Sequence, residues 1–200
     1  MKNSELTQSW KTISSEVVHE NKWFKVRKDY VIRPGGVEGE YFVVEKKPVV
    51  FIVALTEKKE IYLINLFRYT TKQQSWEIPA GATDEGETGL EAAKRELQEE
   101  TGLRAKKWIE VGQTQYANGI SNGICQIYLA QDLEETNDNS QKQEGIGNMQ
   151  KVSFDQVLDM IKNNEITNGQ SISAIMLAGL KLRLLGTPTT LSKEKSTAIT

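Results

Sequence analysis

The sequence has little of what several common classes of protein need. Cys125 is the only cysteine, so no disulfide can form within the chain, and a zinc site built from several cysteines is excluded. His19 is the only histidine, and no nucleophile motif accompanies it, so we expect an exposed or structural histidine rather than a catalytic triad. The net charge of -2 gives no electrostatic footprint for nucleic acid.

Long apolar segments are missing as well. No apolar run approaches the ~20 residues that span a bilayer. The first residues, Met1 to Lys11, are polar and lack the apolar centre of a secretory signal peptide. We therefore expect a cytoplasmic protein with neither a membrane nor a nucleic acid as partner, built mainly as one domain.

The most informative stretch runs from Gly81 to Leu103. A loop rich in Gly, Asp and Glu is followed by Thr88, which is typical of a helix N-cap, and Glu91 three residues later completes a capping box. Good helix formers follow, and Gly102 is a C-terminal stop signal. These signals predict a helix from about Gly89 to Thr101.

Glu96, Glu99 and Glu100 share one face of this predicted helix, because side chains three and four positions apart are neighbours. Like charges there repel, and carboxylates close to a helix C-terminus are disfavoured by the helix dipole. The cluster becomes favourable when a hard divalent cation such as Mg²⁺ lies among the carboxylates. The simpler interpretation is a solvated acidic face, which describes most short runs of glutamate.

The spacing of the whole stretch resembles the Nudix box, which favours the metal interpretation. Its fixed positions are filled by Gly81, Glu87, Arg95, Glu96, Leu97, Glu99, Glu100, Gly102 and Leu103. The resemblance implies a loop-helix-loop that holds Mg²⁺ (or Mn²⁺) and hydrolyses a nucleoside diphosphate linked to another group. It also implies that Glu96, Glu99, Glu100 and the Ala80 carbonyl bind the metal, while Arg95 and Glu87 form an orienting ion pair.

The order of strand and helix signals predicts an α/β/α sandwich with a mixed sheet, as the resemblance also implies. Residues 1–46 are expected to form a small antiparallel β-sheet, residues 47–186 the Nudix domain and residues 187–200 a disordered tail. Residues 131–145 are acidic and amide-rich without an apolar period, so they are expected to form a mobile loop.

The flanks resemble one branch, the ADP-ribose pyrophosphatases and related nucleoside-diphosphate-sugar hydrolases. The resemblance is carried by residues 21–26, 66–69, 77–81 and 165–169. It implies hydrolysis of ADP-ribose or another nucleotide sugar to a nucleoside monophosphate and a sugar phosphate. Residues 116–123, after the box, contain no proline where that branch usually has one, which leaves the other nucleotide sugars open.

The same branch typically forms homodimers in which the N-terminal sheet completes the partner's site. Trp23 and Tyr41 are then candidates to stack on a base, although ordinary packing on a strand face explains them equally well. Arg68 is a candidate to pair with the diphosphate, since a guanidinium matches phosphate oxygens bidentately, and Gly81 is a further candidate for substrate binding.

The branch usually takes its catalytic base from a glutamate in a late loop, and Glu144 is the closest match, with Glu134 and Glu135 as alternatives. Two other functions remain open. One is a non-catalytic Nudix module that senses a nucleotide. The other is a hydrolase of nucleoside triphosphates or dinucleoside polyphosphates.

Overall fold

A computed structural model describes residues 10–136, 138–141 and 145–185. Glu144 and the expected tail, residues 187–200, therefore lie outside the described residues. The elements in chain order are β1 (Lys11–Glu20), β2 (Phe24–Ile32), β3 (Glu38–Lys46), β4 (Val49–Ala54), β5 (Glu60–Arg68), β6 (Gln73–Glu77), β7 (Ala80–Ala82), α1 (Gly89–Thr101), β8 (Leu103–Gln115), β9 (Ile124–Glu135), β10 (Ile146–Ser153), α2 (Phe154–Lys162) and α3 (Gly169–Leu182).

The first three strands form a separate antiparallel sheet in the order β1-β2-β3. Strand β1 lies at its edge and is exposed along its whole length. A three-stranded sheet has little stability of its own. Here β3 is joined to residues 117–122, because the backbone of Val44 donates to the Ile120 carbonyl and accepts from the N–H of Asn122.

The central sheet is mixed, with the strand order β7-β4-β9-β8. Strands β4 and β9 are parallel, whereas the outer pairs are antiparallel. Alternate residues of β4 point to opposite faces. Val50 and Ile52 pack with Ala93 and Leu97 of α1. On the other face, Phe51, Val53 and Leu55 pack in the core that includes Ile175 of α3.

These two cores define an α/β/α sandwich, which confirms the predicted fold class. A third sheet, in the order β10-β5-β6, extends the structure beside α2. None of the helices in the described ranges is both long and apolar enough to cross a membrane.

Helix α1 begins and ends as the sequence predicts. The Thr88 hydroxyl accepts from the Glu91 N–H at 3.3 Å, and Glu91 Oε2 accepts from the Thr88 N–H at 2.8 Å. Gly102 has φ 69° and ψ 20°, and its N–H donates to the Gln98 carbonyl. This left-handed backbone favours glycine.

The prediction of a loop over residues 131–145 is wrong at its start, because β9 continues to Glu135. Strand β8 begins at Leu103 and pairs with β9 as far as Glu135. Backbone pairing with a neighbouring strand therefore holds charged residues in a strand that their side chains do not predict. Strand β10 was also not predicted, since Ile146 to Ser153 has no regular apolar alternation.

Candidate active site

The loop before α1 is organised around Glu87. Its Oε2 accepts from the Asp84 N–H at 2.9 Å. The two oxygens of Glu87 also accept from Nε and Nη2 of Arg95, each at 3.0 Å. The hydrogen bond from Arg95 lowers the pKa of Glu87, and the same bond raises the pKa of Arg95. Both side chains are therefore charged near neutral pH, and the pair ties the loop to the helix.

Arg95 also reaches the acidic cluster. Its Nη1 donates to Glu96 Oε1 at 2.6 Å and to Glu99 Oε2 at 3.0 Å, while Nη2 donates to the Ala82 carbonyl at 2.9 Å. One guanidinium thus holds the loop, the end of β7 and two helix carboxylates together. The repulsion expected between Glu96 and Glu99 is offset by the positive charge of Arg95, which binds both carboxylates.

Glu100 is the buried member of the cluster, with 7% of its surface exposed. Its Oε2 accepts from the Ala80 N–H at 2.8 Å, which places the start of β7 beside α1. The neighbouring Gly81 lies directly against Glu96. A Cβ at Gly81 would be 1.9 Å from Glu96 Oε1, so the absence of a side chain there makes room for this carboxylate.

The donor set of this face fits a hard divalent cation in its chemistry. It consists of carboxylates on a fixed helix beside the backbone of Ala80, and Mg²⁺ prefers oxygen ligands. Within the described ranges, no three acidic, histidine or cysteine side chains are already grouped as they would be around a metal ion. In this structure protein donors occupy the cluster instead: Arg95 binds Glu96 and Glu99, and Ala80 binds Glu100.

Arg68, at the end of β5, forms a bidentate ion pair with Glu77 at the end of β6. Nε donates to Oε1 at 2.8 Å and Nη2 donates to Oε2 at 2.7 Å. The Glu77 side chain is 1% exposed, whereas that of Arg68 is 45% exposed. The pKa of Arg68 is raised mainly by its hydrogen bond to Glu77, and the charge of Glu100 contributes to the same shift.

The three residues after Glu77 are each held by a backbone hydrogen bond to another part of the structure. The Ile78 N–H donates to the hydroxyl of the buried Ser171 in α3 at 3.3 Å. The Pro79 carbonyl accepts from the Ile52 N–H of β4 at 2.9 Å, and the Ala80 N–H binds Glu100. This rigid segment connects the Arg68 pair to the acidic face of α1.

Trp23 lies in the turn between β1 and β2 and is 67% exposed. The ammonium of Lys22 lies 4.4 Å from the centre of its ring. Trp23 lines a cavity of about 300 Å³ together with Lys46, Lys47 and residues Ala82 to Asp84, where the loop before α1 begins. An aromatic ring and several ammonium groups thus lie beside this loop.

Tyr41 lies elsewhere on the N-terminal sheet. Its hydroxyl donates to the Gly119 carbonyl at 2.5 Å, and its ring contacts Trp10 edge to face at 5.4 Å. Along β3 it is five residues from Lys46, which corresponds to about 16 Å. The structure brings Trp23 to the loop before α1, but it does not bring Trp23 and Tyr41 together within one chain.

The alternatives for the base also differ in position. Glu134 forms an ion pair with Lys106 on the neighbouring strand, and Glu135 pairs with Leu103. Ser140 and Gln141 lie against the end of α1. The Ser140 N–H donates to the Glu99 carbonyl at 2.8 Å, and Gln141 Nε2 donates to the Glu100 carbonyl at 3.1 Å.

Sequence reasoning placed Glu77 only in a motif and gave it no role. Its one signal was a carboxylate beside apolar Trp76 and Ile78 at the end of a short strand. A buried charge in such a place requires a partner. The identity of that partner could not be read from the sequence, because the pairing of β5 with β6 sets it.

Two family models match consecutive parts of the chain. Residues 10–44 match the model for a nucleoside diphosphate sugar hydrolase N-terminal domain, and residues 45–174 match the NUDIX domain. The second match covers more than half of the chain, and the chain therefore belongs to the NUDIX family.

Two curated relatives and one solved structure are similar over 63% to 90% of the chain. An ADP-ribose pyrophosphatase of Mycobacterium tuberculosis is 39% identical over 63% of this chain and 61% of its own length. An ADP-ribose pyrophosphatase of Bacillus subtilis is 27% identical over 86% of this chain and 93% of its own length. A crystal structure of an ADP compounds hydrolase shares the fold, with a TM-score of 0.78 and 22% identity over 90% of this chain and 97% of that chain.

Proposed function

We propose that this chain hydrolyses the diphosphate bond of a nucleoside diphosphate sugar, ADP-ribose or another member of the class, to a nucleoside monophosphate and a sugar phosphate. The observation that carries the proposal is the acidic face of α1, fixed by Arg95 and by Ala80 beside an arginine at the end of β5. The matched N-terminal domain model and the names of the two relatives support the same substrate class.

Nudix hydrolases generally use a divalent metal, and Glu96, Glu99 and Glu100 with the Ala80 carbonyl would hold Mg²⁺ (or Mn²⁺) here. A cation bound there supplies charge neutralisation for the diphosphate and a lower pKa for a bound water. A bound cation would compete with Nη1 of Arg95 for the carboxylates of Glu96 and Glu99. The bonds of Arg95 to Glu87 and to the Ala82 carbonyl are independent of that competition and would keep the loop in place.

The substrate would lie along the line from Arg68 to the Nudix loop. Arg68 would pair with the diphosphate. Gly81 is proposed as a neighbour of the substrate through its backbone, because the space beside its Cα holds the carboxylate of Glu96. Trp23 would stack on the base from the cavity that it lines. Tyr41 is already engaged by Gly119 and Trp10, so its part in base binding is better assigned to a site that includes a second protomer.

Glu144 is proposed as the general base, with Glu134 and Glu135 as alternatives. The support for Glu144 is that Ser140 and Gln141, which precede it, bind the carbonyls of Glu99 and Glu100. We expect Glu144→Gln to lower kcat and to remove the acidic limb of the pH–rate profile, with Glu134→Gln as the control. An unchanged profile in the Glu144 variant would exclude it as the base.

We propose a homodimer because strand β1 is exposed along its whole length. This strand lies at the edge of its sheet, and its apolar side chains Ile13, Val17 and Val18 are about half exposed. Exposed edges of this length are ordinarily covered in natural proteins. Sedimentation equilibrium tests the dimer, and a monomer at micromolar concentration would exclude it.

We also propose that the protein is located in the cytoplasm.

The activity is tested by product analysis with Mg²⁺ over a panel of ADP-ribose, GDP-mannose, UDP-glucose, NADH, diadenosine polyphosphates and dGTP. We expect at least one nucleotide sugar to yield a nucleoside monophosphate and a sugar phosphate. If only triphosphates or dinucleotides react, the substrate class is wrong although the metal site stands. If nothing reacts, a nucleotide-sensing module becomes the better interpretation.

A further inference from the structure

We propose that Glu77 is a positioning residue for the diphosphate of the substrate. Its buried carboxylate holds the guanidinium of Arg68 in one orientation beside the acidic face of α1. This inference rests on the proposed function, because it assumes that Arg68 pairs with a diphosphate. Glu77 does not touch the substrate; it acts through Arg68.

The geometry of the pair fixes the plane of the guanidinium. Both oxygens of Glu77 are used, one on Nε and one on Nη2, at 2.8 and 2.7 Å. A bidentate pair of this kind restricts rotation of the planar fork far more than a single hydrogen bond does. The third nitrogen of the guanidinium, Nη1, does not bind Glu77.

The burial of Glu77 argues for a role beyond stability. Removing a carboxylate from water is unfavourable, and a buried carboxylate paired with an arginine is by itself weak evidence of a stabilising role. Ile64, opposite Glu77 on β5, belongs with Leu66 and Ile146 to a buried apolar cluster. An apolar residue in place of Glu77 would suit these surroundings, so the chain keeps a charge where stability alone does not require one.

The pair is also connected to the metal-binding face through a short rigid path. After Glu77, Ile78 is hydrogen-bonded to α3 and Pro79 is hydrogen-bonded to β4. The N–H of the next residue, Ala80, donates to Glu100. The charge of Glu100 is close enough to contribute to the raised pKa of Arg68. An arginine oriented by Glu77 is therefore held at a constant position relative to the carboxylates that would hold the cation.

Glu77→Gln tests the inference, because the amide has nearly the same shape but turns one acceptor into a donor that faces the guanidinium. A misplacement of about 1 Å at a reacting group can cost roughly 100-fold in rate. We expect kcat/KM for a nucleotide sugar to fall about 10- to 100-fold, largely through KM. A purely structural defect would lower the active fraction and hence kcat, and would leave KM unchanged.

The decisive measurement is the same substitution in an Arg68→Ala background. If Glu77 acts through Arg68, Glu77→Gln will change KM by less than twofold there. An equal loss in both backgrounds, or a wild-type KM in the single variant, would overturn the inference. Should Glu77→Gln fail to fold, Glu77→Asp keeps the charge but withdraws it by one methylene, and it must raise KM if the proposal is right.

Asp29→Asn provides a matched control. Asp29 is 6% exposed and accepts from Nε and Nη2 of Arg27 at 2.8 and 3.0 Å, so it is a second buried carboxylate with a bidentate arginine, in the N-terminal sheet. We expect Asp29→Asn to lower the unfolding temperature but to leave KM within twofold of wild type. A rise in KM equal to that of Glu77→Gln would show that breaking any such pair is sufficient.

Calorimetry with a non-hydrolysable analogue, ADP-ribose with methylene in place of the bridging oxygen, separates this inference from the proposed function. If the wild type binds the analogue and Glu77→Gln raises the Kd about 10-fold or more, the proposed function and the role of Glu77 are both supported. If both proteins bind it equally well, only the role of Glu77 is refuted. If the wild type neither binds nor hydrolyses any nucleotide sugar, the proposed function fails first.

Discussion

Replacing Gly81 by alanine should disable the proposed metal site while leaving the fold intact. The added Cβ would lie 1.9 Å from Glu96 Oε1, 2.0 Å from Cδ and 2.5 Å from Oε2. Gly81 is not among the glycines with a left-handed backbone, so alanine can adopt its φ without strain. The three nearest atoms all belong to the carboxylate of Glu96.

The size of the effect follows from these distances. Ordinary contacts begin near 3.4 Å, so the Glu96 carboxylate must move by about 1.5 Å. It is the end of a flexible side chain, and turning it costs ~1 kcal/mol, which the lower entropy of the unfolded alanine variant partly offsets. A shift of this size at a catalytic group, in contrast, is expected to cost about 100-fold or more in rate.

The assay is kcat/KM for a nucleotide sugar as a function of Mg²⁺ concentration, together with the free energy of unfolding in urea. We expect a loss of about 100-fold and half-saturation at a higher Mg²⁺ concentration. Gly169→Ala is the control, because a Cβ there meets nothing within 4 Å. Wild-type activity and metal dependence in Gly81→Ala would refute the reasoning, and so would a loss of more than ~3 kcal/mol of stability.

Three further results are expected. Glu100→Gln should lower turnover by roughly 100-fold or more with unchanged circular dichroism, since the amide oxygen can still accept from Ala80; activity near wild type would refute the metal assignment. Glu87 has a lowered pKa because of Arg95, so its stabilising effect is present above the unfolded pKa of about 4.3 and is lost as the pH falls through the folded value. Urea unfolding should therefore show a larger deficit for Glu87→Gln at pH ~7 than at pH ~3, and an equal deficit would contradict this. Burial raises the pKa of Cys125 to about 11, and the residue is 1% exposed. A thiol reagent at pH ~8 should therefore label it only after unfolding. Rapid labelling of the native protein would show that the central sheet opens.

Local signals were sufficient for the helix that carries the acidic face. Thr88 and Glu91 fix its start, Gly102 fixes its end, and the spacing of Glu96, Glu99 and Glu100 puts these side chains on one face. Each of these features depends on residues within about one turn of each other, and a sequence displays such relations directly. The fold class also followed, because the order of strand and helix signals along the chain predicts an α/β/α sandwich.

Relations between distant segments were not readable in the same way. β9 extends to Glu135 because β8 pairs with it, and β10 exists because β5 offers it an edge. Glu77 meets Arg68 through the pairing of β5 with β6, and Ala80 meets Glu100 across the gap between a strand and α1. Trp23 reaches the Nudix loop while Tyr41 remains bonded to Gly119. The sequence by itself therefore determined which chemical groups the helix presents and in what order. Tertiary structure alone decided what each group binds, because those partners come from strand pairing and packing between residues far apart in the chain.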